Sequence, residues 1–181
     1  MRTRTLIVLV LLVVVSACGR ADDPDIDPTP TPAPPTDSPS PEPSPQAQTV
    51  QIYLSTNNPS DCAEVQAVER EVGGTPTLAA GMEQLLAGPT AEEEVRGLGG
   101  WFSDATRDML ISAEREGDVA RVDFRDLREV IPNASSSCGS ATLLAQLDST
   151  ARQFEASRTL YSINGDVDAF YNWLQLGTPD S

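Results

Sequence analysis

Three kinds of side chain in this sequence have chemistry to offer: the cysteines Cys18, Cys62 and Cys138, a surplus of carboxylates, and a late aromatic group at Phe170, Tyr171 and Trp173. Histidine is absent, which removes the commonest general base and the commonest metal ligand. Paired carboxylates alone can cleave glycosidic bonds, and Glu92, Glu93 and Glu94 stand together. They follow Thr90, however, and a threonine with glutamate three residues on is a capping box, at the helix end where negative charge is favoured. Helix-start chemistry therefore accounts for the trio without a bound cation. Neither a G-x-S-x-G elbow nor a phosphate-binding glycine loop occurs. The expectation is a protein that is not an enzyme and carries no metal or cofactor.

Charge narrows the partners. The chain has 27 acidic residues against 12 basic ones, all arginine, for a formal charge of -15. The first 46 residues hold 3 arginines and 6 acids, so the remainder keeps 9 − 21 = −12. Such a surface repels phosphate backbones, because nucleic-acid binding rests on clustered Lys and Arg, and nucleic acid is excluded as a ligand.

The fate of the cysteines depends on the amino terminus. Arg2 and Arg4 precede Leu6 to Val15, ten unbroken apolar residues. A bilayer span needs about 20, so the run fits the apolar region of an export signal. Val15, Ser16, Ala17 and Cys18 then resemble the lipobox of bacterial lipoproteins, with Val in place of the usual Leu. The resemblance implies that Cys18 is lipidated and becomes the mature amino terminus, residues 1–18 being the signal. Several acyl chains on one residue suffice for stable anchoring, which places the chain on the extracytoplasmic side of the cell membrane with the membrane itself as a partner. Cys62 and Cys138 then remain as an even pair in an oxidising compartment, where a structural disulfide is expected. Closing about 76 residues, it would contribute roughly 4 to 5 kcal/mol. A metal-binding or reactive thiol pair is the alternative, but no histidine or third cysteine accompanies it.

Residues 19–48 hold ten of the fifteen prolines and one aliphatic residue larger than alanine, Ile26. Too little can be buried there to offset chain entropy, so a disordered tether is expected, reaching at most roughly 85 Å at about 3.1 Å per residue.

From residue 49 the pattern becomes that of a folded domain. Val50, Ile52 and Leu54 alternate as in a half-buried strand, and a second strand is expected over 64–72. Thr75 and Pro76 are read as the start of a helix carrying Leu78, Met82, Leu85 and Leu86, which ends at Gly88 and Pro89. Thr90 opens a short helix through Arg96. Residues 109–116 and 118–124 form a hairpin turning at Gly117 and Asp118, with Ala120, Val122 and Phe124 on one face. Ser140 is read as the cap of a long helix with Leu143, Leu144, Leu147, Ala151 and Phe154 inward. Residues 159–163 make a last strand, and 168–176 a short terminal helix. The order ββαββαβ predicts an α+β fold: one small two-layer domain, helices on one face of a mixed or antiparallel sheet.

The runs VQIYLS, AVEREV, LLAGPTAEEE, VARVDF and CGSATLLAQLDSTARQF resemble the GerMN domain, named for a sporulation and spore germination protein and present in other bacterial lipoproteins. The resemblance covers about residues 50–166; Leu85 to Thr90 is its most specific piece, and the later cysteine pair is like that of a lipoprotein subgroup. It implies a domain over 49–166 related to the ring-building motifs of envelope assemblies, without catalytic residues, serving as a scaffold or interaction module. The segment 167–181 lies beyond the family's usual core. The expected partner is another envelope protein or a second copy, met at an exposed sheet edge or at the aromatic tail, where Phe170, Tyr171 and Trp173 serve as an interface or, preferably, as core. Cell-wall glycan binding is the alternative function.

Overall fold

The computed structural model describes residues 47–179. The signal, Cys18 and all but the end of the tether lie outside the described residues.

The order of elements follows the sequence pattern. Strands β1 (Gln48–Ser55) and β2 (Val65–Val72) form an antiparallel pair, with Val50 opposite Arg70 and Ile52 opposite Val68. Helices α1 (Leu78–Leu86) and α2 (Ala91–Val95) follow, then the hairpin of β3 (Leu110–Glu116) and β4 (Val119–Phe124). Helix α3 (Ser137–Arg152) crosses to β5 (Arg158–Ile163), which lies parallel to β4, and α4 (Val167–Trp173) ends the fold. The architecture is α+β as expected, but with two small sheets, β1-β2 and β3-β4-β5, instead of one. β1 stops at two strands because α3, not a strand, occupies its outer edge.

Two helix starts differ from the sequence reading. α1 is capped by Thr77, whose side chain accepts from the Ala80 N–H at 3.1 Å, so Thr75 and Pro76 precede the helix. α3 is capped four residues before Ser140: Ser136 caps it, accepting from Gly139 N–H at 3.0 Å, and the Ser140 hydroxyl donates back to the Ser136 carbonyl. Gly139 explains the choice among neighbouring serines, since a Cβ there would collide with the Asn133 carbonyl. The Thr90 capping box forms as read, with Glu93 reaching back to the Thr90 N–H.

Alternation decides burial. Ile52 and Leu54 from β1, Ala120, Val122 and Phe124 from β4, and Leu143, Leu147 and Ala151 from α3 meet in one core with Met82, Leu85 and Leu86 of α1, and Val50 is buried as well. Phe124, Tyr161 and Phe170 stack within it, ring centroids 5.1 to 6.2 Å apart, arrangements that add to plain area burial. Burial pushes the Tyr161 phenol well above its ordinary pKa, with the Asp148 charge adding to the effect. It stays neutral and donates to Asp148 at 2.7 Å.

Candidate functional site

A strand left at the edge of a sheet exposes main-chain donors and acceptors that must find partners in water, in the fold or in another chain.

The outer edge of β1 is filled by side chains of α3. Gln153 accepts from Gln51 N–H at 2.9 Å and donates to the Gln51 carbonyl. Thr150 accepts from Tyr53 N–H at 3.2 Å, and the buried Gln146 donates to the Tyr53 carbonyl at 3.4 Å. Gln146, Thr150 and Gln153 lie at i, i+4 and i+7, one face of the helix. They replace a third strand. Ser55 completes the edge by exchanging both main-chain bonds with Gly99, at 2.9 and 2.8 Å. The edge of β5 is covered at two positions in the same manner, with the Tyr171 hydroxyl accepting from Tyr161 N–H and the Asp166 carbonyl accepting from Ile163 N–H at 3.0 Å. β3 carries a register shift between Leu110 and Ser112, a bulge that shortens its regular ladder to Ser112–Glu116.

β2 has no such device. Gln51, Tyr53 and Ser55 point their main-chain groups away from β2, so the even-numbered residues of β1 face it. By the register, Gln66, Val68, Arg70 and Val72 bond back to β1, and Ala67, Glu69 and Glu71 point outward. Among the described residues none of these three has a main-chain hydrogen-bond partner. All three are exposed, along eight residues without proline, glycine or bulge.

The strand is held rigid from its inner face. Arg70 reaches under β2 to Glu93 in α2 as a two-pronged ion pair, and its other contact is the Gly88 carbonyl at 3.3 Å. The pair is nearly buried, with side-chain exposures of 14% and 8%. The Arg70 guanidinium holds the Glu93 carboxyl below its ordinary 4.5, overcoming the opposing effect of burial, with help from the Thr90 N–H. The Leu85–Thr90 element thus serves as a buttress for β2.

Cys62 and Cys138 stand at disulfide distance, their Cα atoms 5.4 Å apart, joining the β1–β2 connection to the first turn of α3. The Thr142 hydroxyl bridges the carbonyls of both cysteines, at 2.7 and 3.0 Å. Beside them opens a cleft of about 370 Å³ whose lining includes Asn57, Asn58, Trp101, Ser136 and Thr142 and no charged residue. The Trp101 ring is fixed there by its N–H, which donates to the Gly139 carbonyl at 2.9 Å.

The late aromatics separate. Phe170 and Tyr171 are buried, at 0% and 5% exposure, and Leu174 with them; only Trp173 is half-exposed. Of the two alternatives, interface and core, the first two take the core, because the Asp166 cap turns their face of α4 onto β5. The open edge of β2 escaped the sequence reading, since edge and paired strands share the same alternation. Its signal was the run Ala67, Glu69, Glu71 on the polar face. Among the described residues, no group of three or more cysteine and carboxylate side chains could hold a metal ion, and no helix is long and apolar enough to cross a membrane.

In comparisons with protein-family models, curated proteins and solved structures, nothing matches the chain.

Proposed function

We propose that this chain is a lipid-anchored lipoprotein of the bacterial envelope whose GerMN-like domain is a non-enzymatic docking module, receiving a partner's extended strand on the free edge of β2. The observation that carries the reading is the contrast between edges. β1 is closed by side chains of α3, β5 is covered at Tyr161 and Ile163, and β3 is shortened by a bulge. The longest flat edge is left with three unpartnered residues on a rigid support. Strand addition uses such an edge: main-chain bonds give affinity, and alternate side chains give selectivity. Lipidation at Cys18 and the proline-rich tether account for how the module is held at the extracytoplasmic face of the membrane.

The test is a photo-crosslinking amino acid placed at Ala67 or Glu71 in the full-length chain in intact cells, with exposed Glu114 on β3 as the control position. An adduct formed from β2 and not from β3 supports the reading. Equal labelling at all three positions, or none, would refute it.

The cleft beside Cys62 and Cys138 favours a second reading, binding of a neutral cell-wall glycan. Its lining is uncharged in a chain of net charge -15, and it offers a fixed indole with amides and hydroxyls around it. Loss of muropeptide binding in Trp101→Ala, in a chain that keeps its melting temperature, would support that function. Failure of the full chain to bind muropeptides would end it.

A further inference from the structure

We infer that the strand received at β2 carries basic side chains on alternate positions, an inference that rests on the docking reading above. In a strand, the direction of the main-chain groups and the face of the side chain both alternate with period two. The outward-bonding residues of β2 are therefore also those whose side chains stand on the solvent face, and Ala67, Glu69 and Glu71 are all exposed. An incoming strand bonded to this edge sets one side chain directly opposite Glu69 and another opposite Glu71, about 5 Å away between Cβ atoms. Those two positions are separated by one residue in the partner.

Neither carboxylate has an ion-pair partner among the described residues. The arginine between them is committed to Glu93 on the other face. Glu69 and Glu71 thus present two uncompensated negative charges along the docking line, on a chain whose residues from 47 onward sum to 9 − 21 = −12. An acidic strand meets like charge at both positions and at long range, a neutral strand gains only the ladder, and a basic strand gains both pairs and electrostatic steering.

The same arrangement disfavours a second copy as occupant. In any antiparallel self-pairing that keeps Ala67, Glu69 and Glu71 all bonded within Val65–Val72, Glu69 lies opposite its twin or diagonal to it. Like charges so placed oppose pairing.

The experiment follows main-chain amide resonances of the isotope-labelled full chain, purified in mild detergent with Cys18→Ser to leave it unlipidated. Three eight-residue peptides of alternating threonine and valine are titrated, differing only in two positions one residue apart: both arginine, both glutamine or both glutamate. The expected result is that the arginine peptide shifts the amides of Ala67, Glu69 and Glu71 and spares those of Val68 and Arg70. It should bind about tenfold tighter than the glutamine peptide, the ratio shrinking at about 0.5 M salt. The double variant Glu69→Lys with Glu71→Lys, both changes on exposed side chains, should invert the preference toward the glutamate peptide.

Equal affinity for the arginine and glutamine peptides, with the same three amides shifting, would overturn the charge inference and leave strand docking intact. If no peptide moves those amides at about 1 mM, a concentration that detects even weak binding, the docking reading itself fails. Concentration-dependent shifts of the same amides without any peptide would identify a second copy as the occupant and overturn the basic partner.

Discussion

Replacing Glu93 by glutamine removes one negative charge from beneath β2 while keeping the side chain's shape and an oxygen for the Thr90 N–H. Arg70 then keeps its charge at 14% exposure with one weak neutral contact, the Gly88 carbonyl at 3.3 Å. Breaking a fully buried ion pair by removing one partner costs about 3 to 5 kcal/mol. Partial exposure and the retained amide reduce this, so about 2 kcal/mol is expected for Glu93→Gln, or roughly 8 °C in melting temperature for a domain of this size. The pH dependence gives the sharper check. Glu93 has a folded-state pKa below 4.5, so its contribution is fully present above 4.5 and disappears as pH falls through the lowered value. Glutamine does not titrate. The difference in urea unfolding free energy between wild type and variant should therefore be constant from pH 7 to about 5 and close toward zero in stronger acid. A difference below about 0.5 kcal/mol at pH 7, or one unchanged by acid, would refute the buttress.

Other substitutions probe the rest of the frame. Cys62→Ser with Cys138→Ser opens a loop closed over a separation of 76 residues. The chain-entropy relation gives a loss of about 4.5 kcal/mol, measurable by denaturant titration under oxidising conditions. Gln146→Leu leaves the main-chain N–H of Trp101, which donates to the Gln146 amide oxygen at 3.2 Å, and the Tyr53 carbonyl without their partner, and a loss of about 2 to 3 kcal/mol is expected, with faster amide exchange at Trp101. Phe170→Ala should cost about 3 to 5 kcal/mol as a core cavity, while Trp173→Ala, at a half-exposed site, should cost under half of that. Equal losses for the two would show that α4 is docked differently.

The order of elements was legible because period-two and helical alternation are local signals: Val50, Ile52 and Leu54 lie inward, as do Leu143, Leu147 and Ala151. The capping box at Thr90 and the pairing of Cys62 with Cys138 were legible from chemistry alone. Helix starts were less so. Ser136, Ser137 and Ser140 are equivalent caps by type, and the choice is made by the close approach of Asn133 to Gly139, which no local pattern encodes. The division into two sheets was hidden because Gln146, Thr150 and Gln153 read as an ordinary polar face of α3. Only the tertiary contact reveals them as the cap of β1. The open edge of β2 was hidden for the complementary reason: openness belongs to what surrounds β2, not to its own residues.

The cysteine pair also sets how the molecule answers a pull. A load applied at the amino-terminal side enters at Gln48, the first residue of β1. If the β1–β2 ladder yields, the backbone can pay out only as far as Cys62, 62 − 48 = 14 residues, or about 50 Å at full extension. There, for a pull resisted at the carboxyl-terminal side, the covalent bond diverts the tension to Cys138, and the segment between, with β2, α1, α2 and the β3–β4 hairpin, carries none of it. For that direction of pull the disulfide limits the domain to a short stroke, with β2 inside the shielded segment.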